Sequence, residues 1–209
     1  MTAFTRRAAA LMLTFGLAIG ASANAADSPR VKFSTSAGDF VVELYPDKAP
    51  KTVDNFLRYV KDHHYDGTIF HRVIDNFMVQ GGGYDASYGE KPTRPPVPHE
   101  GREAITRGGP KNVRGTIAMA RTHDPNSASA QFFINVKDNA FLDPTPIVAG
   151  EPPAPPSAQR MWGYTVFGKV VSGMDVIDKM KSAPTGPGGP FRSDVPRTPI
   201  VIKSATIVE

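Results

Sequence analysis

The feature that most constrains this sequence is a series of short apolar runs separated by turns rich in glycine and proline. Their alternation of apolar and polar residues is typical of β-strands. Because closing a sheet removes its exposed edges, this strand count favours a mainly β fold, a closed eight-stranded antiparallel barrel. The predicted strands are Val31–Ser36, Asp39–Tyr45, Thr68–Val73, Phe77–Gly81, Gly115–Ala120, Gln131–Val136, Thr165–Val171 and Ile200–Val208.

Two segments have helical rather than strand periodicity. Ala49–Lys61 places apolar residues at i, i+3, i+4 and i+7, and its Pro50 lies at the start, where a missing N–H is tolerated. Gly173–Lys181 has apolar residues at a spacing of three and ends before Pro184. We expect these two α-helices to cap the open ends of the barrel.

The first 25 residues have the pattern of a signal peptide. Arg6 and Arg7 precede a short apolar run, Leu11–Ile19, and Ala23-Asn24-Ala25 provides a small-residue cleavage site. A membrane anchor is the alternative, although the run is shorter than the ~20 residues that span a bilayer. Twin-arginine export is a second possible route. The sequence therefore predicts a signal peptide over residues 1–25 and a single domain over residues 26–209, exported to the periplasm, with no membrane span after cleavage.

Composition excludes several classes of function. The chain has 209 residues and no cysteine, so disulfides, thiol catalysis and thiolate metal sites are absent. Removal of Arg6 and Arg7 leaves 22 basic and 20 acidic side chains, a net charge of +2, which does not indicate nucleic-acid binding. His63 and His64 are adjacent in a turn and have no ligand-spaced partner, so no metal site is predicted. Monomer is the default expectation.

The block Phe70–Gly82, FHRVIDNFMVQGG, combines polar and apolar residues in an unusual way. Arg72 and Gln80 lie in otherwise apolar strands, separated by the turn residues Asp75-Asn76. Two antiparallel strands joined there would bring Arg72 and Gln80 to one face. A guanidinium and an amide beside apolar side chains suit a peptide-binding surface. The alternative is a buried, ion-paired arginine with a structural glutamine.

Further segments carry a resemblance to a known family. Together with FHRVIDNFMVQGG, the runs GTIAMAR (Gly115–Arg121), SAQFFINV (Ser129–Val136), NAFLD (Asn139–Asp143) and YTVFGKVVSGMDV (Tyr164–Val176) resemble the cyclophilin signature, in the same order. The N-terminal hairpin and the helix start APKTVDNF (Ala49–Phe56) also match. The pattern is most similar to the bacterial periplasmic cyclophilin A type, a peptidyl-prolyl cis-trans isomerase.

The resemblance implies a proline-binding groove on the outside of the barrel and requires no cofactor. Arg72 would be the catalytic residue, with His71 as its supporting neighbour, and proline-containing segments of unfolded exported proteins would be the partners. The residues that match the family's substrate groove are Phe77, Met78, Gln80, Ala120, Arg121, Gln131, Phe133, Phe141, Leu142 and Tyr164. Gln80 is expected to hold Arg72, and the backbone at Arg121 to pair with the peptide.

Three departures from the family pattern accompany this resemblance. Phe141 replaces a tryptophan whose indole N–H contacts cyclosporin in many eukaryotic relatives, so cyclosporin binding is expected to be weakened. Tyr164 replaces a histidine. The Pro-rich loop Asp143–Arg160 is longer, and it is either an extended surface loop or a polyproline ligand. Two other functions stay open: a chaperone that binds without turnover, and an outer-membrane assembly partner engaged through this loop.

Overall fold

The computed structural model describes residues 28–208, so the predicted signal peptide lies outside the described residues. Its strands are β1 (Arg30–Thr35), β2 (Asp39–Leu44), β3 (Arg72–Ile74), β4 (Met78–Gly81), β5 (Thr116–Met119), β6 (Phe132–Asn135), β7 (Val166–Ser172), β8 (Thr185–Gly188), β9 (Phe191–Pro196) and β10 (Ile202–Val208). Its helices are α1 (Pro50–Lys61), α2 (Gly101–Thr106), α3 (Gln159–Trp162) and α4 (Met174–Lys181), with a 3-10 turn at Ala140–Leu142.

Eight strands form one curled antiparallel sheet in the order β10-β1-β2-β7-β5-β6-β4-β3. The end strands β3 and β10 do not pair along their length. The residues just before β3 pair instead with those at the start of β10: the Phe70 amide donates to the Ile200 carbonyl (2.9 Å), and the Ile202 amide donates to the Thr68 carbonyl (2.8 Å). The predicted cyclophilin-type barrel is confirmed. The predicted strand Thr68–Val73 becomes this bridging segment followed by β3, so the closure is narrower than a full strand pair.

The barrel interior is filled by apolar side chains from alternate strand positions. Phe33 and Phe40 stack with ring centroids 4.9 Å apart, and Phe132 packs edge-on against Phe56 of α1. All four rings are almost fully excluded from solvent. Because successive strand residues point to opposite faces, their neighbours in sequence lie on the outer surface of the barrel.

The two predicted helices are confirmed as caps. Val53, Phe56 and Val60 of α1 are buried in the barrel core, as the apolar spacing predicted. Ile177 and Met180 of α4 are buried in the same core. Within residues 28–208, no helix combines the length and apolarity that crossing a bilayer would require.

Three elements were not predicted from the sequence. The segment predicted as a loop, Gly83–Pro110, contains α2, whose six residues are too few to show an apolar stripe. Helix α3 begins at the end of the predicted loop Asp143–Arg160. Strands β8 and β9 form a separate hairpin whose glycines and prolines resemble those of a loop. This hairpin packs against β3 through the Phe191 ring, which stacks on His71.

Candidate active site

A single row of cross-strand partners runs over the outer face of the barrel. Arg72 on β3 is paired with Gln80 on β4, Gln80 with Phe133 on β6, Phe133 with Ala118 on β5, and Ala118 with Val166 on β7. The hairpin β3–β4 turns at Asn76, which has a positive φ of 56° and whose amide donates to the Asp75 carboxylate. Strand register therefore places Arg72 and Gln80 on one face, as the sequence predicted.

An apolar cluster separate from the barrel core surrounds this row. Its buried members are Met78, Ala118, Phe133, Leu142 and Val166, and four partly buried side chains pack against them. A cavity of about 160 Å³ opens here. The cavity is lined by Arg72, Phe77, Met78, Gln80, Ala120, Arg121, Phe133, Leu142 and Tyr164. The structure thus brings nine of the predicted site residues together around one concave opening with an apolar floor and polar side chains at its rim.

One side of the cavity, the strand wall, consists of Arg72, Met78, Gln80 and Phe133. Arg72 is exposed, and within residues 28–208 it forms no salt bridge, so the alternative of a buried ion-paired arginine is wrong. The Gln80 amide donates to the Gln131 side-chain oxygen (3.1 Å). Among the described residues we find no side-chain hydrogen bond between Gln80 and Arg72, so the expected support of the Arg72 guanidinium by the Gln80 amide is absent.

His71 lies directly behind the strand wall. It is almost fully buried, stacked on Phe191 with ring centroids 5.2 Å apart and edge-on to Tyr84 at 4.8 Å. Burial, together with the neighbouring Arg72 charge, lowers the pKa of His71 to about 4. Its Nδ1 atom has no hydrogen-bond partner within residues 28–208. His71 is therefore a neutral, packed ring rather than a proton donor to substrate at neutral pH.

The opposite side, the loop wall, consists of Arg121, Leu142 and Tyr164. The Arg121 guanidinium donates twice to the Gly163 carbonyl, at 3.0 and 2.9 Å, and once to the Gln159 side-chain oxygen at 2.8 Å. Its Cζ atom lies 4.8 Å from the centroid of the Tyr164 ring. Burial lowers the pKa of Arg121 below its ordinary value, but the group keeps its charge. The Arg121 side chain thus fixes the segment that presents Tyr164.

The Pro-rich loop behind this wall is anchored by an ion pair between a buried arginine and a partly exposed glutamate. Arg102 donates to the carbonyls of Thr145 and Pro146 and forms a 2.7 Å salt bridge with Glu151. The indole N–H of Trp162 donates to the Pro155 carbonyl (2.9 Å). These bonds hold the loop against α2. The alternative interpretation of the loop as a polyproline ligand stays a hypothesis.

A second buried histidine, His99, lies behind the loop wall. Its ring packs edge-on to Trp162 at 5.3 Å, and its Nδ1 accepts from the Gly101 amide at 3.1 Å. Burial, followed by the charge of Arg121, lowers the pKa of His99 to about 4. Each wall therefore has a neutral histidine packed behind an arginine.

Two predicted groove residues do not line this cavity. Phe141 is 63% exposed and stacks on Phe77 at 5.6 Å, at the outer rim. Gln131 lines an adjoining cavity of about 250 Å³, which shares Gln80, Ala120 and Arg121 with the first. Both are close to the site, but neither contacts its apolar floor.

Residues 30–207 match the family model described as cyclophilin-type peptidyl-prolyl cis-trans isomerase. The chain belongs to this cyclophilin family. It is 48% identical over 179 residues to peptidyl-prolyl cis-trans isomerase B of Escherichia coli K12, which covers 86% of this chain and 99% of the relative. It is also 48% identical over 185 residues to peptidyl-prolyl cis-trans isomerase A of Dickeya dadantii, covering 88% and 87%. As predicted, this cyclophilin is an enzyme that interconverts cis and trans prolyl peptide bonds.

The solved structures agree with the fold of this cyclophilin. A crystal structure of a cyclophilin-type isomerase from Cryptosporidium parvum, determined in the presence of the dipeptide Ala-Pro, has a TM-score of 0.63 and 25% sequence identity. The match covers 86% of this chain and 99% of that chain. A second structure from the same organism has a TM-score of 0.64.

Sequence reasoning missed a set of buried polar side chains beneath the cavity. Asn112, Asn135 and Asn139 are each at most 1% exposed. Asn135 and Asn139 lie within the quoted motifs and Asn112 lies just before one of them, but asparagine is ordinarily an exposed residue, and the burial of these three shows only in the structure.

Proposed function

We propose that this cyclophilin accelerates prolyl isomerisation in exported proteins as they fold in the periplasm, with Arg72 as the catalytic residue. The observation that carries the proposal is an exposed guanidinium, without a salt bridge within residues 28–208, at the rim of a small cavity with an apolar floor. Proline-containing segments of unfolded proteins would be the partners, and the pyrrolidine ring would occupy the cavity between Met78, Phe133 and Leu142.

The chemistry requires no nucleophile. The cis and trans forms of an X–Pro bond differ by only ~1 kcal/mol, whereas a barrier of ~18–20 kcal/mol separates them. Catalysis must therefore stabilise the twisted amide more than the planar one. Twisting ends the amide resonance and leaves a lone pair on the prolyl nitrogen. A guanidinium directed at that nitrogen gains a hydrogen bond only as the twist develops.

Arg72 suits this role because its charge is permanent and, in the part of the chain that the structure describes, no carboxylate forms a salt bridge with it. The apolar floor formed by Met78 and Phe133 holds the ring side of the bond, so that only the peptide preceding proline needs to rotate. Exclusion of water from the floor also disfavours the charge-separated planar amide. The Cryptosporidium parvum isomerase, whose structure was determined in the presence of Ala-Pro, supports a binding site for proline-containing peptides on this fold.

Substitution of Arg72 by alanine tests the catalytic assignment. We expect kcat/KM, measured on an X–Pro peptide by protease-coupled isomerisation, to fall by about two orders of magnitude, mostly in kcat. Peptide affinity should change little. Arg58→Ala, which removes an exposed arginine from α1, is the matched control. Turnover that is equal in Arg72→Ala and the control would contradict the role of Arg72, and turnover absent from the wild type would favour a chaperone without catalysis.

Export is tested with the full chain expressed in a two-membrane bacterium. We expect the mature protein to be released with the periplasmic fraction and to begin at Ala26. A product that keeps residues 1–25 and sediments with membranes would instead support the membrane-anchor alternative.

A further inference from the structure

Three buried asparagines form a continuous hydrogen-bonded relay beneath the cavity. The Asn139 amide nitrogen donates to the Asn135 side-chain oxygen (2.7 Å), and the Asn135 amide nitrogen donates to the Asn112 side-chain oxygen (3.3 Å). Asn135 lies on the outer face of the barrel, in register with Met78. The relay is therefore on the same side of the sheet as the proposed proline site.

Both ends of the relay terminate on the main chain of cavity-lining residues. At one end, Asn139 Nδ2 donates to the Phe77 carbonyl (2.9 Å). At the other end, Asn112 Nδ2 donates to the Leu142 carbonyl (3.0 Å), which also accepts from the Tyr164 amide (3.0 Å). Phe77 is in the hairpin turn of the strand wall, whereas Leu142 and Tyr164 belong to the loop wall. The relay connects the two walls through the protein interior.

The bonding pattern fixes the orientation of all three amides. Main-chain carbonyls at both ends only accept, so each terminal asparagine must present its nitrogen to them. The second hydrogen of Asn135 is donated to Thr116 Oγ1 (2.9 Å), and that of Asn112 is directed at the Asp143 carboxylate (3.3 Å). Both amide hydrogens of each asparagine are thus donated. Rotating any of the three amides by 180° would bring its oxygen against another hydrogen-bond acceptor. A buried network whose donors are all bonded specifies one geometry.

We propose that Asn112, Asn135 and Asn139 are positioning residues that set the separation of the two walls of the proline cavity. The inference rests on the proposed function, because it assumes that proline binds in the cavity that Phe77 and Leu142 help to line. The asparagines do not line the cavity. They act through the carbonyls of Phe77 and Leu142, whose side chains belong to the outer apolar cluster rather than to the barrel core.

This role predicts a change in substrate binding rather than in the chemical step. The cavity walls contact the proline ring in both the planar and the twisted state, so loosening them removes uniform binding. We expect Asn139→Leu, which keeps the branched heavy-atom shape of the side chain and removes both donors, to raise KM about tenfold with kcat changed less than about threefold. Asn112→Leu should give the same pattern from the other end of the relay.

Thr35→Val is the matched control for loss of a buried polar group. Thr35 is 3% exposed, and its hydroxyl donates to the Gly38 carbonyl in the β1–β2 turn, on an element that does not line the cavity. The control should lower thermal stability and leave KM unchanged. If the asparagine variants fold poorly, Thr116→Val removes the hydroxyl that accepts from Asn135, together with the bond that this hydroxyl donates to the Val113 carbonyl, and a rise in KM of roughly two- to threefold is expected for it.

Phe133→Ala separates failure of this inference from failure of the proposed site. It removes a ring from the cavity floor and should raise KM if proline binds there. A raised KM in Phe133→Ala together with wild-type KM in all the relay variants would overturn the positioning role and leave the site intact. An unchanged KM in Phe133→Ala would overturn the proposed site itself.

Discussion

The two walls of the cavity are built by different means. The strand wall takes its geometry from hydrogen-bonded register, since Arg72, Gln80 and Phe133 are direct partners on three strands. The loop wall takes its geometry from side chains that reach distant carbonyls, such as Arg121 on Gly163. A wall built on register is specified locally by alternation, whereas a wall built on long-range bonds depends on a few individual donors.

The walls nevertheless share one feature, a buried neutral histidine behind an arginine. We expect the largest effect from these histidines, on the pH dependence of the free energy of unfolding. His71 and His99 both have a pKa lowered to about 4 by burial. The unfolded chain takes up these protons near pH 6.5 and the folded chain only near pH 4. The stability from each histidine is therefore complete above about pH 6.5 and is lost as the pH falls towards 4, by about 3 kcal/mol per group.

Denaturant unfolding between pH 7 and pH 4 measures this loss. In His71→Phe the ring packing on Phe191 is retained. The loss of unfolding free energy between pH 7 and pH 4 should be smaller than in the wild type by the contribution of one histidine, about 3 kcal/mol. The same measurement on His99→Gln should give a similar decrease if the two walls are equivalent in this respect. His123, which is exposed, supplies the matched substitution His123→Phe. If His123→Phe changes the slope of unfolding free energy against pH as much as the other two variants do, burial of His71 and His99 is not the cause of the pH dependence.

The second effect should separate the walls. Removing the Arg121 side chain in Arg121→Ala frees the Gly163 carbonyl and leaves Tyr164 without its cation–π partner. We expect KM to rise about tenfold with a smaller change in kcat, because in the proposed function the loop wall binds the peptide, whereas the guanidinium proposed for catalysis belongs to the strand wall. Steady-state isomerisation kinetics test this by comparing KM and kcat of Arg121→Ala with those of Arg72→Ala, in which mainly kcat should fall.

Lysine should not rescue the Arg121 variant. An ammonium is a single point charge and cannot reproduce the paired bonds that the planar guanidinium forms with Gly163 and Gln159. Arg107→Ala is the control, since it removes an exposed arginine that is bonded to the Lys48 carbonyl. It should leave KM and kcat unchanged. A fall in kcat without a rise in KM would contradict the assignment of binding to the loop wall.

The same contrast explains what the sequence could predict. The strand wall follows from the alternation of residue types in Phe70–Gly82 and in Gln131–Val136. The sequence alone therefore predicts that Arg72 and Gln80 lie on the same face of the sheet. The family resemblance supplied the loop-wall positions, but not their supports. The pairing of Arg102 with Glu151 spans 49 residues, and that of Arg121 with Gln159 spans 38, and neither leaves a periodic signal in the sequence.

The hairpin β8–β9 escaped prediction for a related reason. Its strands contain glycine and proline, which lower strand propensity, and its position is fixed by the packing of the partly buried Phe191 ring against His71 and Tyr84. Tertiary packing overrides local preference here. Cover of β3 by this hairpin also protects the edge strand that carries Arg72.

The smallest expected effect concerns the outer rim, where the walls meet at Phe141. This ring is exposed and stacks on Phe77, and it has no hydrogen-bond donor. In Phe141→Trp the indole N–H would become available to cyclosporin, and one added hydrogen bond of about 1 kcal/mol should tighten inhibition about fivefold. Because Phe141 does not line the apolar cavity, kcat/KM for an X–Pro peptide should change less than about twofold. Phe141→Leu, which removes the ring and adds no donor, is the control, and tighter inhibition in that variant would show that the rim acts through shape rather than through a donor.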